Sequence, residues 1–287
     1  MPLTPPPPAS AKDQDRQTER IEIDLLLEAI YLRYGYDFRD YSRETLERRT
    51  RHFLADRRIA QVCDVIGRVL RDPVFFFDLI SYFSINVTSF FRDPVVYAGL
   101  RERVAPMLRT WPHIKVWDAG CATGEEVHSL AILLHEEGLL DRTTIYATDI
   151  NQSALDTAKA CIYPLGNFRL GGANYLESGG RASFSDYYRA DRDAGILDAR
   201  LRGRATFARH NLAMDASFGE MHVVICRNVL IYFNSTLQDR ALELFWDSLE
   251  YGGFLCLGDK ETTDFTAVAD RFELVDGQAK IFKKRVP

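Results

Sequence analysis

An apolar run that ends on a carboxylate, turns through two glycines and opens directly into an amphipathic helix occupies Val116-Trp117-Asp118-Ala119-Gly120-Cys121-Ala122-Thr123-Gly124-Glu125-Glu126. Glycine lets a ligand approach the backbone where a side chain would block it, and the amides of a helix N-terminus point at that ligand. The stretch therefore reads as a cofactor-binding turn. Its Asp118-x-Gly120-x-x-x-Gly124 spacing is not the dinucleotide fingerprint, and Gly124 is followed by Glu125 rather than by the Lys and Ser/Thr of a P-loop. Carboxylates here repel a pyrophosphate and suit a cofactor carrying an amine or sulfonium charge. The plainer alternative is a tight turn before a helix whose acidic first residues complement its dipole.

The surroundings of the turn extend this pattern. Strands are expected at Ile114–Asp118, Thr144–Thr148, Ala205–Ala208, His222–Cys226 and Phe254–Gly258, with helices at Glu125–Glu136, Gln152–Ala160 and Thr236–Glu250. Alternation of this kind predicts a mainly parallel sheet covered on both faces. Phe272-Glu273-Leu274 and Lys280-Ile281-Phe282, joined through Asp276-Gly277, read as an antiparallel hairpin closing that sheet. Between Pro164 and Gly203 the alternation breaks into glycines, tyrosines and polar residues, an inserted subdomain over about Gly166 to Gly203 or a mobile loop. Upstream, residues 18–83 carry helical spacing (Ile21, Leu25, Ile30, Leu32), a helix start near Ser42, and further helices over Ile59–Leu70 and Pro73–Phe83. Residues 1–17, with consecutive prolines from Pro5 to Pro8, read as a disordered tail.

With 46% hydrophobic and 27% charged residues, the 287-residue chain has the composition of a globular protein with a sizeable core. Its net charge of −5 argues against a protein that coats nucleic acid. The five cysteines are scattered, with no C-x-x-C pair, and suggest neither a disulfide framework nor a metal site. No apolar run is long enough to span a bilayer and no signal-peptide pattern is read, so a cytoplasmic location is expected.

Several polar residues fall where open α/β sheets bind ligands, at the carboxyl ends of strands. Asp149, in Ala147-Thr148-Asp149-Ile150, is placed to accept hydrogen bonds from ribose hydroxyls, or simply to cap a helix. Asn211, in His210-Asn211-Leu212, has the donor and acceptor needed to pair with an adenine edge. Val223-Val224-Ile225-Cys226 delivers Arg227, Asn228 and Tyr232. Asn86-Val87-Thr88-Ser89-Phe90-Phe91-Arg92-Asp93-Pro94 lies where the two regions meet, with Arg92 able to reach a cofactor or an acceptor carboxylate. Arg48, Arg49 and Arg51 form part of a basic helix, either a solvated face or a surface for an acidic partner.

Taken together, Thr88-Ser89-Phe90-Phe91-Arg92-Asp93-Pro94, Gly124-Glu125-Glu126, Ala147-Thr148-Asp149-Ile150 and Cys226-Arg227-Asn228-Val229-Leu230-Ile231-Tyr232-Phe233 resemble the CheR-type methyltransferases over about Ile21 to Lys283. That resemblance implies a class I methyltransferase (Rossmann-like) seven-stranded sheet with an N-terminal helical domain and a small inserted β-subdomain. It implies methyl transfer from S-adenosylmethionine to glutamate side chains of a chemotaxis-type receptor or related signalling protein, leaving S-adenosylhomocysteine. Asn86, Thr88, Arg92, Gly120, Glu125, Asp149, Asn211, Leu212, Arg227 and Asn228 would then bind the cofactor. Arg92 and Tyr232 would orient the acceptor, and Arg48, Arg49 and Arg51 would face it. The chain departs from the family's Gly-His-Ser-Glu with Gly258-Asp259-Lys260-Glu261, which places a charge pair near the cofactor rim. The segment from Gly166 to Gly203 does not read as the usual receptor-tether subdomain.

A glutamate acceptor is ionised at neutral pH, with an ordinary pKa of about 4.3, and needs no general base. Two rivals stand beside this reading. A methyltransferase acting on nucleic-acid amines would carry a different loop where Arg227-Asn228-Val229-Leu230 stands. A non-catalytic S-adenosylmethionine sensor or scaffold would keep the cofactor site without turnover.

Overall fold

The computed structural model describes residues 11–84, 88–217 and 219–286. The chain divides into two compact units, Met1–Phe83 and Ser84–Pro287. The first is helical: α1 (Ala11–Tyr34), α2 (Arg43–Arg57), α3 (Val62–Arg71) and α4 (Pro73–Phe83). Ile23, Leu26, Leu27 and Ile30 of α1 are buried with Phe53, Val65, Phe76 and Leu79. These α1 positions repeat at the i, i+3, i+4, i+7 spacing of one helix face. The expected stripe was displaced from this one: Ile30 is buried, whereas Ile21, Leu25 and Leu32 are exposed, Leu32 at 73%. The expected tail is also too long, since Ala11–Gln17 belong to α1. Once the buried turns have paid for nucleation, a helix extends through good formers at little further cost.

Capping fixes the ends of these helices. Asp72 Oδ1 accepts from Val74 N at 2.9 Å and Phe75 N at 3.2 Å, starting α4 at Pro73. Ser42 stands at the start of α2 but makes no side-chain cap bond. On α2, Arg51 donates to Glu19 at 2.8 Å and to Glu47 at 3.3 Å, and Arg57 pairs with Asp78 at 2.7 Å. Arg48 is exposed and Arg49 half-buried.

The second unit begins with α5 (Pro94–Gly99), a widened helical turn over Leu100–Val104, and α6 (Ala105–Leu108). There follow β1 (Ile114–Ala119), α7 (Glu125–Glu136), β2 (Thr143–Asp149), α8 (Gln152–Ala160), β3 (Ile162–Pro164) and α9 (Leu165–Glu177). The chain continues through β4 (Tyr188–Asp191), β5 (Ala194–Leu197), β6 (Ala205–Arg209), β7 (Met221–Cys226), α10 (Ser235–Ser248), β8 (Leu249–Leu257), β9 (Phe272–Asp276) and β10 (Ile281–Lys284). Seven strands form one sheet in the order β6-β2-β1-β7-β8-β10-β9. Pairs from β6 to β8 are parallel, and β10 is antiparallel to both β8 and β9. This is the doubly wound sheet with a terminal hairpin that the alternation predicts.

Strand order decides where a ligand binds. The chain runs outward from β1 to β2 and β6, then returns to β7 on the other side of β1. In such sheets the loops at the carboxyl ends part at the reversal and leave a crevice. Here that reversal falls between β1 and β7.

The inserted segment is a three-stranded antiparallel sheet, β3-β5-β4, packed with α9. It starts earlier than expected, at Ile162, and its glycine-rich part is helical rather than strand or loop. The physical reason is close packing: a Cβ on Gly171 would lie 2.6 Å from Phe90 Cβ, so a small residue in the helix admits the Phe90 ring. Phe168 of α9 stacks on Phe90 at 4.9 Å and on Tyr188 at 4.1 Å. No helix among the described residues is long and apolar enough to cross a membrane.

Candidate functional site

The turn after β1 requires its glycines. Gly120 and Gly124 hold φ of +92° and +91°, in the left-handed region. A Cβ on Gly120 would lie 2.5 Å from Val229 Cγ2, and one on Gly124 would lie 2.6 Å from Ala158 Cβ. The amides of Gly120 and Cys121 donate to Thr148 O at 2.8 and 2.9 Å, pinning the turn to the end of β2. From the inserted subdomain, Tyr163 donates its hydroxyl to Thr123 O at 2.7 Å.

Two buried acids meet this turn. Asp149, at the end of β2, accepts from Ala122 N at 2.9 Å and Asn151 N at 2.8 Å. Burial raises its pKa, and amides including those of Asn151 and Ala122 oppose the rise. A carboxylate has about four lone-pair sites, so two amides leave it able to accept more. Asp118, at the end of β1, is only 1% exposed, and neither carboxylate oxygen has a hydrogen-bond partner. Burial first, and then the charge of Glu126, raises its pKa well above the ordinary value. A desolvated acid without a partner is costly, and a cationic ligand would relieve it. In the sequence Asp118 belongs to the turn motif but is not marked as a cofactor contact. The available signal was an acid closing an otherwise apolar buried strand.

Arg227, with 1% of its side chain exposed, is drawn into the protein. It bonds Glu126, Asp93 Oδ2 at 2.6 Å and Arg92 O at 3.1 Å. Burial opposes its charge, but Glu126 and other neighbours outweigh that and raise its pKa. The segment so held carries left-handed φ at Phe91 (51°) and Asp93 (56°). Phe91 N also donates to Ser129 Oγ at 2.9 Å, and that hydroxyl donates to Glu125 O at 2.7 Å. Strained backbone concentrates here: Phe91, Asp93, Ala122 and Asn228 all have positive φ. Arg92 is half-buried, with Nε 3.9 Å from Asp93 Oδ2, and Thr88 is half-buried. Asn86 lies outside the described residues. Glu125 is buried, accepting from Thr123 Oγ1 at 2.6 Å and Asn167 Nδ2 at 3.0 Å.

Beyond β6, His210 N donates to Asp149 O at 3.2 Å, bringing the Asn211–Leu212 loop beside the β2 end. Asn211 Oδ1 accepts from Ala213 N at 3.0 Å, and Leu212 is buried. Beyond β7, Asn228 stands at φ 60° and Tyr232 is half-buried. The charge pair expected at the rim, Asp259 and Lys260, is exposed, and Glu261 beside it is buried. Contacts thus link Arg92, Gly120, Glu125, Asp149, Arg227 and the Asn211 loop. Among the described residues, no group of three or more His, Cys, Asp or Glu side chains is gathered to hold a metal ion.

A glycine turn at the switch point of a sheet with a terminal antiparallel hairpin defines a class I methyltransferase. Residues 86–281 match the CheR methyltransferase SAM-binding domain, and residues 21–84 match the CheR methyltransferase all-alpha domain. The chain belongs to the CheR methyltransferase family, and S-adenosylmethionine is its cofactor. It is 53% identical over 270 residues to "Putative methyltransferase Cher3" of Pseudomonas putida, covering 94% of this chain and 98% of that one. It is 34% identical to chemotaxis protein methyltransferase 1 of Vibrio cholerae (66% of this chain, 69% of the relative). Identity to the chemotaxis protein methyltransferase of Listeria monocytogenes is 28% (79% and 84%).

Proposed function

We propose that this S-adenosylmethionine-dependent methyltransferase esterifies glutamate carboxylates of a protein acceptor, a chemotaxis-type receptor or related signalling protein. The reading is carried by one juxtaposition. Acids crowd the cofactor turn (Asp118, Glu125, Asp149), while a half-buried cation, Arg92, stands on the adjoining loop, its carbonyl held by Arg227. Acids suit a cationic cofactor, and the cation suits an anionic acceptor.

Asp118 would take the cofactor's ammonium, Asp149 its ribose hydroxyls, and Asn211 with Leu212 its adenine. Gly120, Glu125, Asn228 and Thr88 would line the remainder, with Arg227 supporting them through Glu126 and Asp93. When bound, S-adenosylmethionine supplies an electrophilic methyl on a sulfonium. The protein's own task is orientation and exclusion of water, since an ionised carboxylate is already a nucleophile. Alignment of this kind is worth roughly 7–11 kcal/mol in favourable cases. Arg92 and Tyr232 orient the acceptor carboxylate. Too tight an arginine clamp would stabilise the ground state as much as the transition state, with no gain in turnover. On the helical unit, Arg48 and Arg49 would meet an acidic acceptor, Arg51 being shared with Glu19 and Glu47.

Transfer from methyl-labelled S-adenosylmethionine into total cell protein tests the acceptor chemistry. A carboxyl ester releases its label as volatile methanol in alkali, which is the expected result. Label that survives alkali, or that resides in nucleic acid, would rule the glutamate reading out.

A further inference from the structure

Building on the cofactor reading, we propose that Glu261 is the positioning residue of the site: it holds Asn228 and Val229 over the glycine turn through backbone hydrogen bonds, without touching cofactor or acceptor. Its carboxylate collects four amides. Oε2 accepts from Gly258 N at 2.6 Å and Asn228 N at 3.0 Å, and Oε1 accepts from Val229 N at 2.9 Å and Ile231 N at 3.3 Å. The side chain sits after β8, while three of the four donors belong to the loop after β7. One carboxylate therefore ties together the ends of two neighbouring strands beside the crevice.

The fit is close on both sides. A Cβ on Gly258 would lie 2.7 Å from Glu261 Oε2, 2.8 Å from Asn228 N and 3.0 Å from Asn228 Nδ2, so only glycine admits the loop to this depth. Asn228 meanwhile holds φ 60°, in the left-handed region that asparagine adopts more readily than most residues with a side chain. On the far side, Val229 packs against Gly120 so tightly that a Cβ there would meet Val229 Cγ2 at 2.5 Å. The carboxylate thus positions Val229, and Val229 closes on the turn that receives the cofactor. Burial raises the Glu261 pKa, and the four amides oppose that rise. Glutamine would be no substitute, because its NH2 would face two amide donors whichever way it turned. Aspartate keeps the charge and shortens the reach.

Calorimetric titration with S-adenosylhomocysteine of the full chain, Glu261→Ala and Glu261→Asp, with circular dichroism to check folding, tests the assignment. Wild type should bind. Glu261→Ala should bind about tenfold more weakly or worse, the weight of roughly one charge-assisted hydrogen bond. Formate, small enough to enter the vacated nest, should restore part of that affinity, and chloride at equal ionic strength should not. A folded Glu261→Ala with wild-type affinity, or a loss that formate leaves untouched, would overturn the assignment. If Glu261→Ala does not fold, Glu261→Asp decides: weakened binding supports the role and wild-type binding overturns it. A wild type that failed to bind would instead overturn the cofactor reading, so the two failures are distinguishable.

Discussion

Asp118 carries opposite obligations to stability and to binding. Its folded pKa is raised above the ordinary 3.8, so the stability linked to its proton is present below that value and is lost as pH rises through the folded value. Asp118→Asn should remove the charge, raising Tm near neutral pH and converging with wild type in acid. Each 1 kcal/mol gained would be worth about 2–4 °C in a domain of this size. The same variant should weaken S-adenosylhomocysteine binding about tenfold or more, as loss of a charged hydrogen bond does. Thermal melts across pH beside calorimetry would test both halves, and a Tm difference independent of pH would contradict the account. Such coupling was not legible in the sequence. The glycine spacing announced a cofactor turn, but that both oxygens of Asp118 lack partners is a fact of three dimensions. Arg227 makes the same point: the sequence offers it as a cofactor ligand, and only the structure shows that Glu126 and Asp93, 101 and 134 residues away, also bond its guanidinium.

At the scale of elements, α7 joins the cofactor turn to the rest of the unit. Its first residue, Glu125, accepts from Asn167 of α9. Its far end anchors the inserted subdomain, where Glu136 receives Tyr175, Tyr187 and Arg101 and Glu137 pairs with Arg101, Arg109 and Arg181. Tyr163→Phe cuts one tie, the bond to Thr123 O. It should cost about 1 kcal/mol of stability by denaturant titration and should loosen cofactor binding. Unchanged affinity would show that the subdomain does not support the turn. In the first turn of α7, His128 is buried, with Nε2 3.2 Å from Ala158 O, and burial lowers its pKa from 6.5 to about 4. For this depressed group the linked stability is present above 6.5 and is lost as pH falls through about 4. The loss amounts to about 3 kcal/mol at roughly 1.4 kcal/mol per pH unit. His128→Gln should flatten the slope of unfolding free energy between those limits, and an unaltered slope would count against it. Element boundaries were unevenly legible: Glu125–Glu136 and Gln152–Ala160 follow from periodicity, but α9 does not. Glycine disfavours helix in general, and only the packing of Phe90 against Gly171 shows why it is tolerated here. In α1 the run Ile-Glu-Ile-Asp-Leu-Leu-Leu offers more than one apolar face, and packing selects Ile23, Leu26, Leu27 and Ile30.

Across the whole molecule, the alternation of strands and helices carried the fold class, because parallel strands require crossovers and crossovers here are helical. Strand order was not written there. That β7 returns beside β1, setting the switch point of the sheet and its ligand crevice there, depends on long-range pairing such as Trp117 with Val224. The central claim is that this crevice, with Asp149 at the end of β2 and Asp118 at the end of β1, holds S-adenosylmethionine. Calorimetric titration with S-adenosylmethionine and S-adenosylhomocysteine, on wild type and Asp149→Ala, tests it most directly. The account predicts binding of both ligands by wild type and a loss of about tenfold or more in the folded variant, as removing a charged acceptor implies. Equal affinity in the two proteins would contradict it.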